Sequence, residues 1–159
     1  MFSIGDKVVY PMHGAGIIEA IEEKEIMGKK QSYYILRMAL GQMQVMVPLD
    51  SVNNIGLRQI IDKEGVEKVI SILREKGKEL TSSWNRRYRM HLEKMKTGDI
   101  YEVAGVVRNL SLREKEKGLS SGERKMLENA RQILISELVL VVNRDEEEIE
   151  YLVNQEFNN

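Results

Sequence analysis

Hydrophobic and polar positions in the first fifty residues follow the short, interrupted pattern typical of β-strands. The segment 6–10 contains the β-branched pair Val8 and Val9 and stops before Pro11, which cannot donate a hydrogen bond to a central strand ladder. Val45 and Val47 alternate with their neighbours, as in a half-buried strand. Turn signals separate four or five such runs, which predicts a small barrel or strongly bent sheet. The predicted strands are 6–10, 17–25, 31–38 and 44–48, with turns at 13–16, 27–30 and 41–42.

After Asp50 the spacing changes to that of amphipathic helices. In 62–75, apolar residues recur three and four positions apart, so that they share one helical face. Ser120 and Glu123 have the spacing of a capping box, in which the serine hydroxyl accepts from a free backbone N–H. The predicted helices run over 62–75, from Ser82 or Ser83 to about 96, from Asp99 to Gly118, from Ser120 to about 142, and over 145–157, the last short, acidic and frayed.

This order of elements predicts an α+β protein, with a small β barrel or bent sheet followed by a helical bundle. We expect a β domain over 1–55 and a connecting helix and linker over 56–80. A helical domain follows over 81–142, and an acidic tail or short helix over 143–159.

Composition narrows the class of protein. Hydrophobic residues make up 42% of the 159 residues and charged residues 31%, which is enough to bury a core. No apolar run approaches the roughly 20 residues that span a bilayer, and the start has no signal-peptide pattern. Cysteine is absent, which excludes disulfides and thiolate chemistry. We therefore expect a cytoplasmic protein without membrane contact.

The sequence offers little for an enzyme. The two histidines, His13 and His91, are 78 positions apart and lie in no motif. The 14–16 turn begins like a dinucleotide fingerprint, but Glu19 occupies the place of its third glycine. The acidic run at 145–150 lacks the spacing of a calcium loop. We expect no enzymatic activity, no cofactor and no metal, and a small hydrolase is disfavoured because no nucleophile–base pair is visible.

Charge divides the chain into three parts. Residues 1–75 carry a net charge of −1, residues 76–142 one of +5, and residues 143–159 one of −5. A basic middle is typical of modules that bind polyanions, but an uneven helical surface gives the same numbers. Charge alone favours the two interpretations equally.

The most informative stretch is 82–89, which holds the only tryptophan, Trp84, close to three arginines and a tyrosine. Arg86 and Arg89 are three positions apart and would share a helical face at a helix N-terminus, which attracts phosphate. A second basic pair, Arg124 and Lys125, follows the capping box. From these residues, a tryptophan that stacks on or wedges into DNA and a tryptophan buried in the core are equally supported.

Four segments form a distinctive set of motifs: Gly-Asp-Lys-Val-Val-Tyr-Pro-Met-His-Gly-Ala-Gly at 5–16, Trp-Asn-Arg-Arg-Tyr-Arg at 84–89, Gly-Leu-Ser-Ser-Gly-Glu-Arg-Lys-Met-Leu at 118–127 and Ala-Arg-Gln-Ile-Leu at 130–134. Together they resemble the CarD-type (CarD/CdnL) bacterial transcription factors, which bind RNA polymerase. The similarity covers roughly 1–142 in the family's own order and spacing.

The resemblance implies a Tudor-like β domain that docks on the β subunit of RNA polymerase. It also implies a helical domain that contacts promoter DNA upstream of the −10 element with little sequence preference. In such factors a tryptophan wedges into the minor groove and stabilises the open complex. By resemblance, the DNA-binding residues are Trp84, Arg86, Arg89 and Arg124, and the polymerase-binding residues are Lys24, Ile26 and Met46.

The chain departs from the family pattern at Lys24 and Met46, where well-studied relatives have arginine. Lysine keeps the charge but loses the planar guanidinium, and methionine loses the charge altogether. The sequence does not indicate which promoters respond, or whether the effect on them is activation or repression. We expect a monomer, since bridging requires one copy of each face. The alternative is a protein-interaction adaptor whose helical half is structural and does not bind DNA.

Overall fold

A five-stranded antiparallel sheet occupies the N-terminal part of the computed structural model, which describes residues 1–76 and 83–157. Its spatial order is β4-β3-β2-β1-β5. The sheet precedes the helices along the chain, so the predicted α+β class and order are confirmed. The strands are β1 Lys7–Tyr10, β2 Gly14–Ile26, β3 Lys29–Met38, β4 Gln44–Pro48 and β5 Arg58–Gln59.

The strand β5 lies beyond residue 55, where we expected the β domain to end. It pairs with β1 through Val8 and Val9, so the sheet continues to Gln59. The chain reaches it through a short 3₁₀ turn at Leu49–Ser51 and a single helical turn, α1, at Val52–Ile55. Two residues are too few to show the alternation that identifies a strand.

One face of the sheet carries its core. Ile18, Leu36 and Val47 are buried there and lie on neighbouring strands, with Leu36 opposite Ile18. A bulge between Ile18 and Ala20 shifts the register of β2 against β3. Because a bulge adds one residue, it changes which positions of the outer half of β2 face away from the core.

Five longer helices follow the sheet. Their N-caps are Asp62, Ser83, Asp99, Ser120 and Asp145, whose side chains each accept a backbone N–H of the first turn. The alternative cap Ser82 lies outside the described residues. Within 1–76 and 83–157, no helix has the length and apolar character needed to cross a membrane. The helices are α2 Lys63–Arg74, α3 Trp84–Lys96, α4 Ile100–Glu116, α5 Ser121–Val142 and α6 Glu146–Gln155.

The helical core is built around α4 and α5, which present their apolar faces to each other and to α2. Val103, Leu110 and Leu134 are buried in this core. The C-terminal helix α6 joins it through Ile149 and Val153, so this acidic segment is a docked helix rather than a frayed one. The apolar side chains explain this, because their spacing of four residues places them on one face.

The sheet and the helices meet where α5 crosses the start of β2. The backbone N–H of Ala15 donates to the Ser136 hydroxyl over 2.8 Å in a buried contact. A Cβ added at Gly14, which has φ of +111°, would lie 2.9 Å from that same oxygen. This close approach therefore requires glycine at position 14.

Candidate functional site

Trp84 begins helix α3, and 42% of its surface is exposed. The helix starts here because the Ser83 side chain accepts the backbone N–H of Arg86. The indole stacks on the ring of Tyr88, one turn later, with centroids 5.2 Å apart and planes inclined by 19°. Trp84 is thus partly buried: Tyr88 covers one face of the indole ring, and much of the remaining surface is exposed to solvent.

The nitrogen edge of the indole is held by the residue that caps the N-terminus of another helix. Trp84 Nε1 donates to Ser120 Oγ over 2.7 Å. Ser120 is the N-cap of α5, and its Oγ also accepts the backbone N–H of Glu123 over 3.2 Å. The capping box predicted from Ser120 and Glu123 therefore caps the helix, and it also fixes the tryptophan.

A buried ion pair lies behind this contact. Arg87 Nε and Glu123 Oε2 are 3.2 Å apart, and their side chains are 4% and 2% exposed. Burial by itself would raise the pKa of Glu123, but the hydrogen bond and charge of Arg87, together with the Ser120 hydroxyl, bring it below its usual value. The role of Arg87 could not be predicted from the sequence, because its partner lies 36 positions away.

The three arginines assigned to DNA by resemblance are all exposed. Arg86 and Arg89 lie on the first two turns of α3 and, being three positions apart, share one of its faces. Arg124 lies on the first turn of α5, four residues after Ser120, and its nearest carboxylate oxygen is that of Glu114 at 3.9 Å. The exposed indole and the three arginines thus lie near the starts of two helices, α3 and α5, which the bond from Trp84 to Ser120 joins.

A groove of about 310 Å³ adjoins the stacked rings. Its walls come from the turn before β2 and from α3 and α5, and include Met12, Tyr88, Leu92, Lys125, Met126 and Asn129. The surface beside Trp84 thus combines apolar side chains with a lysine and an amide. That mixture suits a polyanion that also offers apolar ring faces.

His91 lies deeper in α3 and is fully buried. Its Nε2 is 3.4 Å from Asn109 Nδ2, while its Nδ1 has no hydrogen-bond partner among the described residues. The pKa of His91 is lowered to about 4, chiefly because the ring is buried; the charges of Lys94 and Arg87 act in the same direction, and that of Glu123 opposes them. A neutral, enclosed imidazole is a core side chain and is not part of the exposed surface around Trp84.

The residues assigned to polymerase by resemblance lie on one face of the sheet. Lys24 and Ile26 are two positions apart on β2 and therefore point to the same side. Met46 on β4 is opposite Ile35 of β3, which in turn is opposite Ala20 of β2. Directly opposed residues share a face, so Met46 lies on the same face of the sheet as Lys24 and Ile26. Its position is level with Ala20, six residues before Ile26, so the rise along the strand separates Met46 from Ile26 by about 20 Å.

This face lies away from the buried core of the sheet and is partly apolar. Ile26 is 50% exposed and Met46 39% exposed. The Lys24 ammonium lies 3.7 Å from a Glu22 carboxylate oxygen, in a solvent-exposed pair. We call Lys24, Ile26 and Met46 the outer strip.

The outer half of β2 also has an open edge. Main-chain bonds between β2 and the segment that contains β1 extend only to Ile18. From Ala20 to Ile26, the ladder among the described residues is with β3 alone. Although β2 is central in strand order, Ile26 thus lies in a stretch with one unpaired edge, which is a feature of strands that pair with another chain.

Comparison with known proteins gives two family matches. The family described as "CarD-like/TRCF RID domain" matches residues 2–61, and the one described as "CarD, C-terminal domain" matches residues 68–154. The chain is 44% identical over 149 residues to YdeB of Bacillus subtilis (strain 168), which is named as a candidate transcription factor. The alignment covers 94% of this chain and 97% of YdeB.

Two solved structures from Myxococcus xanthus are similar to part of the chain. The solution structure of the 72-residue N-terminal domain of CarD is 37% identical, with a TM-score of 0.33, and the match covers 37% of this chain and 79% of that one. The structure named CdnLNt is 43% identical, with a TM-score of 0.35, over 40% of this chain and 89% of that one.

Proposed function

This chain belongs to the CarD family of transcription factors, which are not enzymes, and we propose that it bridges the RNA polymerase β subunit and promoter DNA. It contacts DNA upstream of the −10 element and stabilises the open complex. It acts as a monomer on polymerase in the cytoplasm, with one copy of each contact surface. The observation that carries the proposal is the half-exposed Trp84, which its bond to Ser120 holds at the junction of two helix N-termini that also carry exposed arginines.

The DNA contact rests on Trp84, Arg86, Arg89 and Arg124. The indole inserts at a minor-groove step at the upstream edge of the melted region, where the duplex is already distorted and unstacking costs least. The guanidinium groups hold backbone phosphates, which position the protein without reading sequence. The exposure of the indole and of all three arginines supports this assignment.

The polymerase contact rests on the outer strip. Its side chains share one face, and its neighbouring strand edge is open, which suits docking against an extended segment of the β subunit. Met46 supplies an apolar contact where relatives have arginine, so this contact is less ionic than theirs. Salt should accordingly weaken polymerase binding less than DNA binding.

The two contacts work together through local concentration. Residues 76–142 carry a net charge of only +5, so affinity for free DNA is weak. Docking on polymerase places the helices beside the promoter and makes a weak contact sufficient. Because the wedge fits melted DNA better than closed duplex, binding shifts the equilibrium towards the open complex.

Ile26→Glu tests the polymerase contact. We expect loss of co-purification with the β subunit, since a carboxylate would be buried without a partner at the docked face. Ile21→Glu is the matched control, because Ile21 is 44% exposed on the same strand but lies opposite Tyr34 on the other face. If a folded Ile26→Glu protein still captures the β subunit, the outer strip is not the docking surface.

Arg89→Glu tests the DNA contact and separates this function from the adaptor alternative. We expect weaker protection of upstream promoter DNA in the polymerase complex, with a reduced dependence on salt, because phosphate contacts release counterions. Lys63→Glu, on the exposed side of α2, makes the same charge change elsewhere. Equal effects of the two variants, or none from either, would favour the adaptor.

A further inference from the structure

The hydroxyl of Ser120 links the cap of one helix to the tryptophan of another. We propose that Ser120 is a positioning residue that fixes the orientation in which Trp84 is presented to DNA. This inference rests on the proposed DNA contact and adds to it a device for orienting the indole. Its basis is the 2.7 Å bond from Trp84 Nε1 to Ser120 Oγ.

Three hydrogen bonds define the direction of the Ser120 hydroxyl. The oxygen accepts from Trp84 Nε1 and from the backbone N–H of Glu123, and the hydroxyl donates to Glu123 Oε1 over 3.3 Å. A serine hydroxyl has one proton and two lone pairs, so all of its capacity is used. The arrangement specifies one hydroxyl orientation and gives the indole N–H one acceptor.

The buried ion pair holds this arrangement in place. Arg87 bonds both oxygens of Glu123, with Nε and Nη2 each at 3.2 Å. The carboxylate that receives the Ser120 proton therefore cannot rotate away without breaking a buried charge-assisted contact. Ser120 in turn transmits that fixed position to the indole.

Among the described residues, Tyr88 and Gly122 also lie against the indole. Tyr88 stacks on one face, and a Cβ added at Gly122 would come within 3.5 Å of Trp84 Cζ2. Stacking permits in-plane sliding and rotation, whereas a hydrogen bond at the nitrogen edge does not. Pre-ordering the side chain lowers the entropy lost when it inserts into DNA.

If Ser120 served only to cap α5, it would need only one of these hydrogen bonds. Capping α5 requires the bond from the Glu123 N–H, and it does not involve Trp84. Ser120→Gly removes the oxygen while glycine remains an acceptable N-cap. Ser120→Thr keeps an oxygen at the same position, and Ser121→Ala removes a neighbouring exposed hydroxyl as the matched control.

The first measurement is the fluorescence anisotropy decay of Trp84 in the full-length free protein, where it is the only tryptophan. We expect Ser120→Gly to add a fast component from local indole motion. Ser120→Thr and Ser121→Ala should decay as the unmodified protein does. An unchanged decay in folded Ser120→Gly would overturn the proposal, because the indole would then be ordered without Ser120.

The second measurement is the lifetime of the polymerase–promoter open complex. We expect Ser120→Gly to shorten it roughly two- to tenfold, the cost of ordering one side chain, and Ser120→Thr to restore it. In a Trp84→Ala background, Ser120→Gly should change nothing further. The same loss in both backgrounds would show that Ser120 acts through the helix cap alone, and would overturn the proposal.

The two measurements separate this inference from the proposed function. If Trp84→Ala itself leaves the lifetime unchanged, the proposed DNA wedge fails, whatever the anisotropy decay shows. If Trp84→Ala shortens the lifetime and Ser120→Gly does not, the wedge stands and the positioning role is wrong.

Discussion

Arg58 and Glu137 form a two-point ion pair that joins the last strand of the sheet to the middle of α5. Arg58 Nη1 donates to Glu137 Oε2 over 2.9 Å, and Nη2 donates to Oε1 over 2.7 Å. The Glu137 side chain is fully buried and also accepts the backbone N–H of Ile61. Arg58 Nε donates to the Gly98 carbonyl, between α3 and α4. One side chain thus ties the sheet to two parts of the helical region.

Removing one partner of this pair should destabilise the whole molecule. Arg58→Ala leaves the Glu137 carboxylate buried beside a single backbone donor, so we expect a loss of about 3 kcal/mol in the free energy of unfolding. Urea denaturation followed by circular dichroism measures it. Arg144→Ala breaks an exposed pair with Glu148 on α6 and should cost under about 1 kcal/mol. Equal losses would mean that the buried pair does not couple the two regions.

His91 should make stability depend on pH. Its pKa is about 4 in the folded protein and about 6.5 when unfolded, so the unfolded state binds more protons between these values. The contribution of His91 is complete above pH 6.5 and is lost as the pH falls towards 4. The slope contributed by this one group is at most about 1.4 kcal/mol per pH unit.

The pH effect is measured by urea unfolding at pH 7, 6, 5 and 4.5. His91→Gln keeps a polar group near Asn109 and should flatten the profile in this window. His13→Gln, on an exposed side chain, should leave the profile as it is. Glu123, whose pKa is lowered, adds its own loss only at more acidic pH, below its usual value. An unchanged slope in His91→Gln would contradict the assignment.

The C-terminal helix should contribute to stability despite its acidic sequence. Ile149→Ala removes a side chain that is 1% exposed and packed into the helical core, so we expect a loss of about 2–5 kcal/mol. Leu152→Ala, on the same helix but 45% exposed, should cost far less. Thermal unfolding of the two variants distinguishes a docked helix from an appended tail, for which both changes would be small.

Local patterns in the sequence predicted most of the fold. The caps Ser120 and Asp99 start helices where expected, and α5 ends at Val142 as the spacing predicted. These signals lie within a few residues of the feature that they determine. The spacing of Ile149 and Val153 also indicates that α6 packs against the core, but the acidic composition of the segment favoured a frayed helix.

The parts that sequence reasoning missed depend on contacts between distant positions. Arg87 pairs with Glu123 and Arg58 with Glu137, across 36 and 79 positions, and neither partner leaves a periodic trace. The bond from Trp84 to Ser120 is of the same kind. The sequence, through its resemblance to a family, could therefore suggest candidate residues for a DNA contact, but not which residues hold Trp84 in place.

The lifetime of the open complex, on a promoter whose opening limits transcription, tests the central claim most directly. Trp84→Ala and Ile26→Glu are each compared with the unmodified protein, after circular dichroism has shown that both fold. We predict that each variant loses the stabilisation, that Trp84→Ala still co-purifies with the β subunit, and that the double variant loses no more than either alone. A folded Trp84→Ala protein that stays bound to polymerase and gives the full lifetime would contradict the account.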